Sequence, residues 1–178
     1  HRLNRRQRQM CIRDRATADG LDLVAEARRL AALPIFRDAL EYRCFPQMNG
    51  WQMKVRRPQI DWREWAVKVR RSSKKQNAHG HCDRPKQIIS ITVQPGHTRA
   101  ILAATLLHEM CHAIQTPEHD SKGNERHHGP LFKQLLIKAA EAAYGVKLTT
   151  DTNAPMHIID TGLCLLYTSD AADDSACV

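Results

Sequence analysis

The sequence predicts a small α+β domain, because it contains two kinds of patterned segment. Residues 98–115 and 130–144 carry apolar side chains at helical spacing, whereas residues 87–93 (QIISITV) are β-branched and apolar, as in a buried strand. A chain of 178 residues is long enough for one domain with a hydrophobic core. We therefore expect an N-terminal helix, a short antiparallel or mixed sheet, and two long helices after the sheet.

The N-terminal region is predicted to be helical in two pieces. Residues 19–32 (DGLDLVAEARRLAA) have apolar positions at helical spacing, with Thr17 or Asp19 available as the N-cap. Pro34 interrupts this pattern, and a second helical piece is expected at residues 35–43.

The central region alternates between apolar and charged residues, which is typical of strands. Residues 51–57 (WQMKVRR) and 62–71 (WREWAVKVRR) have this alternation, and residues 46–50 (PQMNG) predict a turn before them. Residues 72–86 are loop-like, and the HGHC stretch within them is interpreted as a turn rather than a second metal site.

The two long helices have recognisable starts and ends. Thr98 can cap the helix at residues 98–115. A polar loop follows, Pro130 suits the first turn of the last helix, and Gly145 would end that helix.

The two ends of the chain differ in character from the middle. RQRQMCIRDR near the start and GLCLLYTSDAADD near the end resemble peptides that arise when sequencing-adapter DNA is translated. We expect residues 1–15 and 161–178 to be non-native, disordered segments around a natural domain at residues 16–160. The alternative is a natural basic arm and a natural acidic tail.

Composition favours a soluble, intracellular protein of the cytoplasm, with the nucleoid as an alternative site there. No apolar run reaches the roughly 18 residues of a membrane span, and no apolar segment follows the basic N-terminus as in a secretion signal. The six cysteines include no CxxC pair and suggest no disulfide framework, which favours a reducing compartment. We expect a monomer that does not bind membranes.

The net charge of +8 is concentrated in one segment. Residues 54–86 contain eleven Lys or Arg and three acidic residues, which is typical of a surface that binds a polyanion such as single-stranded or damaged DNA. The alternative is a solvated sheet edge whose charges prevent aggregation. The candidate nucleic-acid-binding residues are Arg56, Arg57, Lys68, Arg70, Arg71, Lys74 and Lys75.

The segment LLHEMCHAIQ, residues 106–115, contains the pattern HExxH within the first long helix. On a helix, His108 and His112 lie one turn apart on one face and can bind the same ion. Glu109 is rotated by about 100° from His108, so its carboxylate lies beside the ion and can accept a proton from water there. Zinc suits two imidazoles and a nearby base. Three polar groups buried in an apolar helix without such a role would be costly.

A catalytic zinc site needs a third protein ligand. The metzincin pattern requires histidine six residues after His112, but that residue is Glu118. The remaining downstream candidates are His119, Glu125, His127, His128 and Glu141. His128 immediately precedes Gly129-Pro130 at the start of the last helix and would be held more rigidly than a residue in mid-loop. On spacing alone, His127 is a near-equal alternative.

LLHEMCHAIQ followed by HHGPLFKQL resembles the SprT-like metalloproteases, the family that includes Spartan. The resemblance is best over residues 80–135 and extends over about 18–145. It implies a small zincin-like fold, zinc as the cofactor, ligands His108, His112 and His128, and Glu109 as the catalytic general base. QIISITV and AHGHCD are similar to the strand and hairpin that precede the active-site helix in the family.

The resemblance also implies a function. We expect a zinc-dependent endopeptidase that cuts DNA-associated proteins, as in proteolysis of DNA–protein crosslinks. One alternative is another small zincin, such as a regulatory peptidase that cleaves a repressor. A second is a non-catalytic nucleic-acid-binding module stabilised by zinc.

Overall fold

A computed structural model describes residues 17–18, 21–47, 50–57, 59–73 and 79–145. The fold is α+β, which confirms the predicted class. Its helices are α1 (Leu23–Ala31), α2 (Pro34–Arg37), α3 (Arg99–Ile114) and α4 (Pro130–Tyr144). Its strands are β1 (Thr17–Ala18), β2 (Leu21–Asp22), β3 (Glu41–Gln47), β4 (Gly50–Arg57), β5 (Ala66–Arg71), β6 (Gly80–Asp83) and β7 (Ile88–Val93). The expected domain limits at residues 15 and 161 lie outside the described residues.

The strands form three separate sheets. β1 pairs with β2, and β3 pairs with β4, both antiparallel. The third sheet has the strand order β5-β7-β6, with β7 parallel to β5 and antiparallel to β6. This mixed sheet contacts α3 through β6 and β7, and the second sheet contacts it through β3.

Several local predictions are confirmed. β7 lies within the predicted strand, and Thr98 caps α3 through a hydrogen bond from Ile101 N to Thr98 Oγ1 of 3.3 Å. Pro130 begins α4, and Gly145 ends it in a left-handed conformation with φ of 72°. A positive φ of this kind favours glycine.

Other predictions were wrong. The N-cap of α1 is Asp22, whose Oδ1 accepts from the amides of Val24 and Ala25, because Thr17 belongs to the short strand β1. The helical piece expected at residues 35–43 ends at Arg37, since the following residues pair with β4 as β3.

Two predictions about the central region also need correction. Trp62–Glu64 is a 3-10 turn, so the strand expected at 62–71 begins only at Ala66. Three of the four residues of the HGHC stretch lie in the strand β6 rather than in a turn, because Gly80–Asp83 pairs with β7 along its whole length. The four-residue strand is too short to produce a visible alternation.

The hydrophobic core surrounds α3. Eleven residues of this helix are buried, and it contacts α1, α4, β3, β6 and β7. A helix enclosed on most sides must be apolar around most of its circumference. None of the helices that the structure describes has the length and hydrophobicity needed to span a lipid bilayer.

Candidate metal centre

Three histidine side chains converge at the junction of α3 and α4. The Nε2 atom of His108 lies 3.0 Å from that of His112 and 3.1 Å from that of His128, and the third distance, between His112 and His128, is 3.1 Å. Within the described residues, these three form the group of donors that could hold a metal ion.

The arrangement fits a zinc ion. Nitrogen atoms bound at about 2.0–2.1 Å around a tetrahedral ion lie about 3.3 Å apart, close to the separations of these Nε2 atoms. All three imidazole rings point their Nε2 atoms at a common point. Hydrogen bonds among neutral imidazoles would not require this convergence, whereas binding of one metal ion does. Three protein donors also leave a fourth tetrahedral position for another ligand.

Gln115 fixes the tautomer of His112. Its Oε1 atom lies 2.6 Å from His112 Nδ1, so the ring donates from Nδ1 and its Nε2 lone pair faces the other histidines. Gln115 is fully buried, and its Nε2 atom has no hydrogen-bond partner among the described residues. A carbonyl oxygen on the second nitrogen of a histidine is the usual outer partner of a metal ligand.

The histidine on α3 nearer the core stays neutral. Burial, and then the charge of His108, lowers the pKa of His112 to about 3. The group therefore keeps its Nε2 lone pair across the neutral range, as a metal ligand must.

Phe132 packs against all three imidazoles on the buried side of the cluster. Its ring stacks on His112 at a centroid distance of 4.3 Å and an interplanar angle of 20°. It is about equally close to His108 and His128, each at 5.1 Å. Phe132 is buried, whereas His128 is exposed, so the cluster has an apolar floor and a side open to solvent.

Glu109 is buried against β6. An added Cβ on Gly80 would lie 2.5 Å from Glu109 Oε1 and 2.6 Å from its Cγ. The strand backbone can approach this carboxylate only because residue 80 is glycine. Gly80 thus helps to set the position of Glu109, and the sequence motif HExxH alone does not reveal this contact.

Arg84 connects the turn between β6 and β7 to the histidine helix. Its Nε atom donates to the main-chain oxygen of His112 at 2.6 Å, and its Nη1 atom lies 3.8 Å from Glu125 Oε1. Arg84 is buried, so this guanidinium is part of the support of the cluster rather than of a basic surface.

The other candidate third ligands lie elsewhere. His119 and Glu125 pair with each other in an isolated β-bridge, and His127 Nδ1 lies 3.7 Å from Glu125 Oε1. Glu141 is exposed near the end of α4. Of the five downstream candidates, only His128 joins the cluster with His108 and His112.

The thiols of the region are not poised as ligands. Cys82 and Cys111 are free, and burial raises the pKa of Cys82 to about 12 and that of Cys111 further still. Cys111 belongs to the core of α3. Both thiols therefore remain protonated near neutral pH.

Exposed basic side chains are found on β5. Lys68, Arg70 and Arg71, which we call the basic face, are exposed, while Val67 and Val69 between them are partly buried. The structure describes the backbone of Arg56 and Arg57 in β4, and Lys74 and Lys75 lie outside the described residues.

Some basic residues counted in the segment have internal partners. Arg63 bonds to Asp61 at 2.9 Å and Lys86 bonds to Asp83 at 2.7 Å. Together with the buried Arg84, they reduce the charge that the segment can offer to a polyanion.

These features define a small zincin-type domain: a helix with HExxH, a third histidine at the start of the next helix, and a small mixed sheet. Residues 42–153 match the SprT-like family, and this match covers more than half of the chain. The chain therefore belongs to the SprT-like family, a family of zinc metalloproteases. The match starts after α1 and α2, whereas the resemblance was expected from about residue 18. No curated protein and no solved structure matches the chain significantly.

Proposed function

We propose that this protein is a zinc-dependent endopeptidase. The observation that carries the proposal is the triangle of three Nε2 atoms from His108, His112 and His128, with Gln115 Oε1 behind His112. These three histidines would hold the ion. When bound, zinc acts as a Lewis acid that polarises a substrate carbonyl and makes water a better nucleophile near neutral pH.

Glu109 is the proposed general base. It follows His108 directly on α3, so its side chain leaves the helix beside the histidine face. Its carboxylate accepts a proton from the attacking water and then donates that proton to the leaving amine. Burial and the close contact with Gly80 restrict the positions that this side chain can take.

A catalytic role is favoured over a structural zinc module. A structural site encloses its ion with four protein ligands, whereas this cluster has three donors among the described residues and an exposed His128. The open fourth position is where a catalytic site binds water or substrate.

We further propose that the substrates are DNA-associated proteins and that the enzyme works as a monomer in the cytoplasm, at the nucleoid. The exposed basic face on β5 supports a DNA partner, because clustered Lys and Arg side chains bind phosphates. The free thiols of Cys82 and Cys111 are consistent with a reducing compartment.

The test replaces the base without touching the ligands. Glu109→Gln should retain bound zinc and the fold but lose cleavage of a DNA-tethered protein by about 100-fold or more. Glu141→Gln, an exposed glutamate of α4, is the matched control and should cleave normally. Comparable turnover by Glu109→Gln and wild type would exclude the proposed mechanism.

A further inference from the structure

Helix α4 begins without a capping side chain of its own. Gly129 is the N-cap residue and has no side chain that could bond to the first amides, and Pro130 follows at the first helical position. The opening amides of a helix have no partner within it and are normally satisfied by a side chain at the N-cap. The helix that follows the third histidine therefore needs an acceptor from elsewhere in the chain.

Glu118 supplies this acceptor. Its Oε2 atom accepts from the amide of Phe132 at 3.2 Å. Phe132 is the third residue of the helix, whose amide an N-cap Ser or Asp side chain would normally bond. The carboxylate is also the favourable charge for the positive end of a helix dipole.

The same carboxylate explains the glycine before Pro130. A Cβ on Gly129 would lie 2.5–2.7 Å from the carboxylate atoms of Glu118. Gly129 has φ of −70° and ψ of 177°, an extended conformation that any residue can adopt. A larger residue at position 129 would therefore have to displace the Glu118 carboxylate, whereas the backbone conformation itself does not demand glycine.

Glu118 is placed to control the positions of His128 and of Phe132, the ring beneath the histidine cluster. The residue before Gly129 is His128, and the residue whose amide Glu118 binds is Phe132, which stacks on His112. The main-chain oxygen of Glu118 also accepts from Arg126 N at 2.7 Å. His128 is exposed, so these bonds add to its ring contacts in holding the segment that carries it.

We propose that Glu118 is a positioning residue for the third metal ligand, capping α4 from the preceding loop so that His128 faces His108 and His112. This inference rests on the proposed metal centre. Glu118 occupies the position, six residues after His112, at which the metzincin pattern has its third ligand. Here it would support a ligand without being one.

The first experiment measures zinc affinity by competition with a chromophoric chelator. Glu118→Ala in the full chain should bind zinc about 10–100-fold more weakly. Glu118→Gln keeps an oxygen acceptor but not the charge and should lose less. Asp22→Ala, which removes the cap of α1, is the matched control. It should lower the melting temperature by a similar amount and leave zinc affinity unchanged.

The second experiment tests the capping role by moving the cap. Gly129→Ser alone should weaken zinc binding, because its Cβ displaces Glu118. In Glu118→Ala/Gly129→Ser the serine has room, and its hydroxyl can bond to Phe132 N. The double variant should therefore recover most of the affinity that either single variant loses. The visible spectrum of the cobalt-substituted protein should return to the wild-type form in the double variant and change in Glu118→Ala.

The outcomes distinguish a failure of the metal centre from a failure of the positioning role of Glu118. The role of Glu118 would be overturned if Glu118→Ala had unchanged zinc affinity. It would also be overturned if the double variant lost as much zinc affinity as the two single variants lose together. His128→Ala supplies the reference. If it loses zinc while Glu118→Ala does not, the metal centre stands and only the positioning role is wrong. If it binds zinc like wild type, the proposed centre fails, and the positioning role fails with it.

Discussion

Removing the acceptor behind His112 should weaken metal binding without removing a ligand. Gln115→Ala deletes the Oε1 atom that lies 2.6 Å from His112 Nδ1 at a fully buried position. The imidazole N–H is then left without its partner, which costs about 1–3 kcal/mol. A free ring can also move its proton to Nε2, and that tautomer cannot bind the metal. We expect zinc affinity to fall by about 10–100-fold.

Gln115→Glu is the matched control, because it has the same shape and keeps an oxygen acceptor. It also removes the buried Nε2 group that has no partner among the described residues. A carboxylate behind a ligand histidine is common in zinc sites, so this variant should bind zinc at least as well as wild type. Both affinities are measured by chelator competition near neutral pH. Wild-type affinity in Gln115→Ala, or weaker binding in Gln115→Glu than in Gln115→Ala, would refute the reasoning.

Three further predictions concern the ligands, the base and the basic face. His128→Ala should lose most bound zinc while His127→Ala retains it, and metal analysis showing the reverse would make His127 the third ligand. Gly80→Ala should displace Glu109 and lower kcat about tenfold or more with zinc content unchanged; an unaffected kcat would show that the strand contact does not restrict the base. Charge reversal on β5 and at residues 74 and 75 should flatten the salt dependence of single-stranded DNA binding and impair cleavage of a DNA-tethered protein more than that of a free unfolded protein. Equal effects on both substrates would remove DNA from the function. The residues to reverse are Arg70, Arg71, Lys74 and Lys75.

Local signals made part of the fold predictable. Features that depend only on neighbouring residues were anticipated from the sequence. They are the Thr98 cap, the β-branched strand β7, and the boundaries of α4 at Pro130 and Gly145. β3 was not anticipated, because its pairing with β4 overrides the local preference of a segment that contains a proline.

The histidines of the site were predictable, but the contacts that support them were not. The spacing of His108 and His112 follows from helical geometry, and the resemblance pointed to His128 among five candidates. The supporting contacts of Gln115 and Glu118 were missed. A glutamine three residues after His112 lies on the same helix face, so its role could have been suspected. Glu118 could not, because its contact with Phe132 depends on how the loop folds back.

The three histidines come from one short stretch of chain, between His108 and His128. An ion held by all three would close a loop of about fifteen residues between α3 and α4, and would restrict the local opening of that loop in the folded protein. Chelation should therefore affect this segment first. A protease added to the metal-free protein should cut within residues 116–127 earlier than elsewhere in the folded domain, and saturating zinc should protect these same bonds. The protein would then lose its bound ion and its resistance to digestion in a single event.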